Sequence, residues 1–142
     1  MNSTNDKIEN IEQDAWIKKN LNAAVNKYME KGIIKNPVIE AKPAWQLPFQ
    51  ILIGKIRSGD HQDNFHWFIC GEVPTDYVES SVAKTPREAA RHFCMKWQLT
   101  ASRYDGQVAE SNPAQLPLED VIKNLIDQSQ ALNDVVIDDR LW

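Results

Sequence analysis

The chain has 142 residues, of which 42% are hydrophobic and 25% charged, which is typical of a globular protein; its five tryptophans are the unusual feature. This length predicts one domain that can bury a core without disulfides. The net charge of −4, without a clustered basic stretch, argues against nucleic-acid binding. No apolar run approaches the roughly 20 residues that cross a bilayer, so we expect no membrane insertion.

Cysteine and histidine spacing predicts neither a metal site nor a cofactor. The amino terminus lacks the apolar core of a signal peptide, so we expect a cytoplasmic protein in which Cys70 and Cys94 are free thiols. Neither cysteine lies in a CxxC motif. His61 and His66 have a ligand-like spacing, but they straddle a loop and a strand start. No glycine-rich nucleotide motif occurs.

The first predicted helix follows a polar amino-terminal segment. Residues 1–13 offer only two isoleucines for burial, and we predict that they are flexible. We predict a helix over 14–31, before the glycine that follows it, and a single α+β domain over 14–142 with an acidic tail that ends in tryptophan. The apolar face of this helix consists of Ile17, Leu21, Ala24, Val25 and Tyr28.

Alternating apolar residues predict the first strand. Residues 33–43 read as a connecting loop with a short extended piece around Val38. The strict alternation from Trp45 to Ile53, with Phe49 among the apolar positions, indicates a strand. Pro48 in its middle indicates an edge position, a bulge or a split into two strands. Residues 57–64 are predicted to form the hairpin loop to the next strand.

The second predicted strand is FHWFICGEV, residues 65–73. One face carries Phe65, Trp67, Ile69 and Val73, whereas the other carries His66, Phe68, Cys70 and Glu72. Because the second face is mixed, Phe68 needs cover from a helix, a loop or a partner. Pro74 should end the strand, and Asp76 has the chemistry to cap a short helical turn over 77–80.

Two further helices are predicted over 86–104 and 117–132. Thr85, Pro86 and Glu88 form a capping box with proline at the first helical position. The overall prediction is therefore an α+β fold in which an antiparallel hairpin or small sheet is packed by three helices. The tail to Trp142 either docks on the domain or serves as a short binding motif.

Several of these segments together resemble a known family. They are Trp16, KPAW at 42–45, WFICGEVPTDY at 67–77, TPREAARHF at 85–93, Trp97 and DDRLW at 138–142. In the form W-x-I-x-G-x-x-P-T-D-Y and P-R-E-A-x-R-x-F, these motifs are similar to those of small bacterial proteins described only as a domain of unknown function. The resemblance covers most of the chain after Trp16. It implies a bacterial origin and transfers no activity.

No catalytic residue is predicted. A Cys–His arrangement would combine Cys70 or Cys94 with His66 or His92, and Asp76 could orient the base. Cys70 and His66 lie about 13 Å apart along a strand, at roughly 3.3 Å per residue. Cys94 and His92 are two residues apart on a helix and point in different directions. Packing thiols and a half-buried histidine explain these residues better, so an enzyme is the less favoured class.

Two candidate surfaces remain at the level of sequence. One is a ligand-binding cluster at a strand end and a helix start, formed by Asp76, Tyr77, Arg87 and Arg91. Local capping and pairing with solvent or Glu88 explain the same residues. The other is a partner-binding surface, formed by Leu52, His66, Phe68 and Trp142.

We therefore predict a non-catalytic protein-interaction domain, of adaptor or inhibitor type, with a protein partner or a homodimer. The alternative is a small enzyme or small-ligand binder that uses the region of Asp76, Arg87 and His92. The first is supported by an apparent surplus of large apolar side chains, relative to what three helices and two strands would bury. The support for the second is only the availability of polar residues.

Overall fold

A computed structural model describes residues 3–30, 38–58, 65–109 and 116–142. The chain divides into two compact units, residues 1–81 and residues 82–142, and each is described by itself. The prediction of a single domain over 14–142 stays a prediction. His61 and most of the predicted hairpin loop lie outside the described residues.

The first unit begins with helix α1, Ser3–Glu30, which starts well before the predicted residue 14. That prediction was wrong because it treated low apolar content as a sign against a helix. Lysine, glutamate and glutamine are good helix formers that need no burial, and acidic groups suit a helix amino terminus. Ile8 and Ile11 remain 48% and 67% exposed, so this part of the helix is solvated.

In the described residues, four antiparallel strands follow in the order β1-β2-β3-β4. They are β1 Val38–Leu47, β2 Ile51–Ser58, β3 His66–Gly71 and β4 Asp76–Glu79. The predicted α+β fold with a small antiparallel sheet and three helices is confirmed, as is the split at Pro48. The loop predicted over 33–43 was wrong from Val38 onward. Pro43 is tolerated there because β1 is an edge strand with a bulge beside that residue.

The predicted helical turn after Asp76 is in fact β4. Tyr77 pairs with Phe68 and Val78 pairs with Trp67, so the strand ladder takes these residues instead. A short 3-10 turn follows over Ser80–Val82. Aromatic and β-branched residues favour strands when a partner strand is available, and this tertiary pairing outweighs a local capping signal.

Helix α1 packs on one face of the sheet and forms the core of this unit. The predicted alternation of β3 is confirmed, since Phe68 and Cys70 point into this core while Trp67 and Ile69 lie on the opposite face. Trp16, Ile17, Leu21 and Val25 pack against its edge. The core side chains are Ala24, Tyr28, Leu52, Ile56, Phe68, Cys70 and Tyr77.

The second unit contains two long helices, α2 Pro86–Ala109 and α3 Leu116–Val136, and a short 3-10 turn over Asp139–Leu141. Thr85 caps α2 as predicted, because its Oγ1 accepts from the backbone N–H of Glu88 at 3.1 Å. The predicted ends at 104 and 132 were too early, and α2 continues through Gly106. Among the described residues, no helix has the length and apolarity that crossing a membrane requires.

Candidate functional site

The partner-binding residues predicted on the sheet lie in the core. Leu52 and Phe68 are both 0% exposed beneath α1, which provides the cover that Phe68 needs. His66 is half-buried, and its Nδ1 lies 2.6 Å from the hydroxyl of Tyr28 in a hydrogen bond. A partner could reach Leu52 and Phe68 only if α1 left the sheet, so we do not keep this face as a binding surface.

Asp76 and Tyr77 also serve the first unit. The carboxylate of Asp76 accepts from the backbone N–H of Tyr77 at 2.8 Å, and the Tyr77 hydroxyl donates to the carbonyl of Ala24 at 2.5 Å. Burial raises the pKa of Tyr77 well above its usual range, so this hydroxyl stays protonated and fastens β4 to α1.

Arg87 fastens the tail within the second unit. Its Nε donates to the carbonyl of Val136 at 2.9 Å, and its guanidinium pairs with Asp139 at 2.5 Å. The ring of Trp142 lies 6.0 Å from the guanidinium carbon, and its indole N–H donates to the carbonyl of Val135 at 3.0 Å. The tail therefore packs against the helices of the second unit, and Arg87 holds it there through these contacts.

The predicted ligand-binding set is thus divided between two units. Asp76 and Tyr77 belong to residues 1–81, whereas Arg87 and Arg91 belong to residues 82–142. Arg91 is exposed and His92 is half-buried on α2. Three of the four residues have hydrogen-bond partners within their own unit, as described above, so a shared ligand is not needed to explain them.

Both thiols are buried, and their environment disfavours ionisation. Burial raises the pKa of Cys70 to about 12 and that of Cys94 to about 11. The Cys70 thiol donates weakly to the carbonyl of Asn20 at 3.9 Å. A thiol must ionise to act as a nucleophile, and at neutral pH these two stay protonated. In the described part of the chain, no group of three or more His, Cys, Asp or Glu side chains is arranged to hold a metal ion.

The turn between β1 and β2 carries the least expected conformation in the first unit. The N–H of Gln50 donates to the carbonyl of Leu47 at 2.9 Å, and Pro48 and Phe49 lie between them. Phe49 has a φ of 62°. Proline at the second position and positive φ at the third are the features of a type II turn, whose third position normally requires glycine or asparagine. A phenylalanine there is a backbone outlier.

The ring of Phe49 forms an exposed aromatic pair with Trp16. The two ring centroids are 6.0 Å apart, and the rings are tilted by 55°. Phe49 remains 44% exposed, and Trp16 is half-buried beside the core. The tilt shows that the two rings are not stacked face to face. We call Trp16 and Phe49 the aromatic pair.

Sequence analysis missed the aromatic pair because Phe49 fits the apolar alternation that predicted one continuous strand. A signal was nevertheless present. The tetrapeptide Leu-Pro-Phe-Gln at 47–50 places a bulky residue after proline, where a hairpin turn would normally have glycine. Trp16 packs against the core of the first unit and is only partly buried.

The second unit has a groove of about 390 Å³ between α2 and α3. Its lining is neutral and includes Gln98, Ser102, Ile122, Ile126 and Gln130. Leu99, next to this lining on α2, is 58% exposed. None of the described residues that line the groove carries a titratable group.

One family model matches this chain. Its description is Domain of unknown function (DUF4826), and it matches residues 10–142. The matched range spans the residues of both motifs noted above and both members of the aromatic pair. No curated protein and no solved structure matches the chain.

Proposed function

The chain belongs to the DUF4826 family, a domain of unknown function, and from that premise we propose that it is a non-catalytic protein-interaction domain of the bacterial cytoplasm, of adaptor or inhibitor type. A partner protein, or a second copy of the chain, would bind at the aromatic pair of the first unit. This exposed surface takes the place of the sheet face predicted from the sequence, which belongs to the same unit.

The conformation of Phe49 carries this proposal. A non-glycine residue at positive φ costs on the order of 1 kcal/mol or more, and such outliers cluster where a protein holds a ligand or partner. The ring is only partly buried, because 44% of the residue stays exposed. Phe49 is a large aromatic residue in an unfavourable backbone conformation, exposed to solvent beside Trp16. Exposed aromatic residues of this kind are common in interface hot spots.

The polar residues available for chemistry support the same proposal. The thiols of Cys70 and Cys94 are buried and protonated, Tyr77 is bonded to α1, and His66 is bonded to Tyr28. Each of these groups has a structural role that accounts for it. A binding function requires none of them, whereas an acid–base or nucleophilic mechanism requires at least two to converge.

A photo-crosslinking amino acid at position 49 tests this proposal. Benzoylphenylalanine keeps an aromatic ring at that position, and it can be incorporated in the protein produced in bacterial cells. We expect irradiation to give a discrete cross-linked species at Phe49. The matched control is the same replacement at Met29, which is on the same unit and has a comparable exposure of 48%.

The mass of the cross-linked species distinguishes the partner. A species at twice the mass of the chain identifies a homodimer, whereas another mass identifies a different protein, and both support the proposal. Equal cross-linking at Met29 and Phe49 would contradict it, because contact would then be unspecific. The same amino acid is also placed at Leu99 on the second unit. A discrete cross-linked species at Leu99 and none at Phe49 would contradict the proposal, because the interaction would then involve the second unit.

A further inference from the structure

Acidic side chains lie on the α1 face that carries Trp16. Glu12 and Glu9 precede Trp16 by four and seven residues, so all three lie along one face of the helix. Both glutamates are exposed. Two exposed basic residues, Lys18 and Lys19, follow Trp16 by two and three residues towards the carboxyl end. The approach to Trp16 from the amino-terminal half of α1 is therefore negatively charged.

A third carboxylate lies beside the turn that holds Phe49. The backbone N–H of Glu72 donates to the carbonyl of Gln50 at 2.7 Å, which places Glu72 against this turn. Its side chain is exposed. We call Glu9, Glu12 and Glu72 the acidic rim. Acidic residues thus lie on the part of α1 that precedes Trp16 and next to the turn that holds Phe49.

We infer that the aromatic pair and the acidic rim bind an arginine-bearing segment of a partner protein. Aromatic faces attract cations, and the effect is strongest for tryptophan. A guanidinium group can stack flat on a ring while its N–H groups donate to carboxylates at its edge. This inference rests on the proposed protein-binding function and adds the chemistry of the partner.

Charge complementarity favours a basic partner over a second copy of the chain. The chain carries a net charge of −4, so a second copy would bring further negative charge to the acidic rim. A lysine-bearing segment fits less well than an arginine-bearing one. An ammonium group is more strongly hydrated and has no planar face to stack on the rings.

A blocked hexa-arginine peptide is a suitable probe, with hexa-lysine as its comparison. Binding is followed by the NMR signal of the Trp16 indole N–H, which is identified by its disappearance in Trp16→Phe. We expect a saturable shift with hexa-arginine and binding several-fold weaker with hexa-lysine. Added salt should weaken both, because exposed charges are screened. Phe49→Gly should reduce hexa-arginine binding to the level of hexa-lysine or below.

Charge variants on α1 distinguish binding of hexa-arginine at the acidic rim from its attraction by the net charge of the chain. Each exposed ion pair contributes up to about fivefold in affinity, so Glu9→Gln with Glu12→Gln should weaken hexa-arginine binding by several-fold. Glu30→Gln is the control, because it removes one charge from an exposed position at the other end of α1, and losses are compared per charge removed. It should leave the affinity unchanged.

The outcomes distinguish this inference from the proposed function. Equal losses per charge removed in Glu30→Gln and in Glu9→Gln with Glu12→Gln would overturn the inference, since binding would then follow net charge alone. A protein cross-linked at position 49, with no hexa-arginine binding at Trp16, would overturn the arginine chemistry and leave the protein-binding function. Hexa-arginine bound at Trp16 without any protein cross-linked at position 49 would contradict the function while supporting the chemistry.

Discussion

Phe68→Ala is expected to lower the free energy of unfolding by about 3–5 kcal/mol, the usual cost of removing a buried aromatic side chain. Phe68 is 0% exposed and is part of the core beneath α1. Its removal takes apolar contacts from the helix and the sheet together, and the cavity can collapse only in part. Urea denaturation followed by circular dichroism measures the change.

Met29→Ala is the control for this variant. Met29 is 48% exposed near the end of α1, so its replacement should change stability by less than about 0.5 kcal/mol. A loss below 1 kcal/mol in Phe68→Ala would contradict the packing of α1 on this face. For the same reason, Phe68→Asp should unfold the protein rather than release a partner, because it buries an unpaired charge.

Gly54→Ala is expected to cost about 1–3 kcal/mol through overpacking. A Cβ at this position would lie 2.6 Å from the ring of Phe68 and against the backbone carbonyl of Lys42 on the neighbouring strand. Neither atom can retreat easily, because one is in the core and the other is in the strand ladder. The same denaturation experiment measures the loss.

Combining Gly54→Ala with Phe68→Ala gives a double-mutant cycle. Without the Phe68 ring, part of the overlap disappears, and the new methyl group fills a little of the cavity. We therefore expect the double variant to be more stable than the sum of the two losses predicts, by at least about 0.5 kcal/mol. Strict additivity would show that Gly54 does not face Phe68 and would contradict the register of β2 and β3.

Local patterns predicted much of the fold. Alternation in residues 65–71 assigned Phe68 and Trp67 to opposite faces correctly, and the capping box at Thr85 located the start of α2. Boundaries failed where a neighbouring strand decided the outcome. Tyr77 and Val78 belong to the sheet because they pair with β3, and the local sequence does not show that β3 is available for pairing.

The candidate site was harder to predict, because it depends on backbone conformation and on cover from α1. Sequence cannot show that α1 buries Leu52 and Phe68, so an apolar face looked available to a partner. Phe49 was read as a strand residue, although Pro48 ahead of it favours a turn. Its positive φ and its contact with Trp16 become evident only in the folded chain.

The stability of Phe49→Gly tests the central claim most directly, because glycine relieves the positive φ and removes the ring. If the ring is present for a partner, the free energy of unfolding should stay equal or rise by up to about 1 kcal/mol, since glycine suits this turn position. If the ring instead holds Trp16 against the core, the variant should lose about 2 kcal/mol or more, as buried side chains do. That loss would contradict the claim that Phe49 serves binding rather than folding.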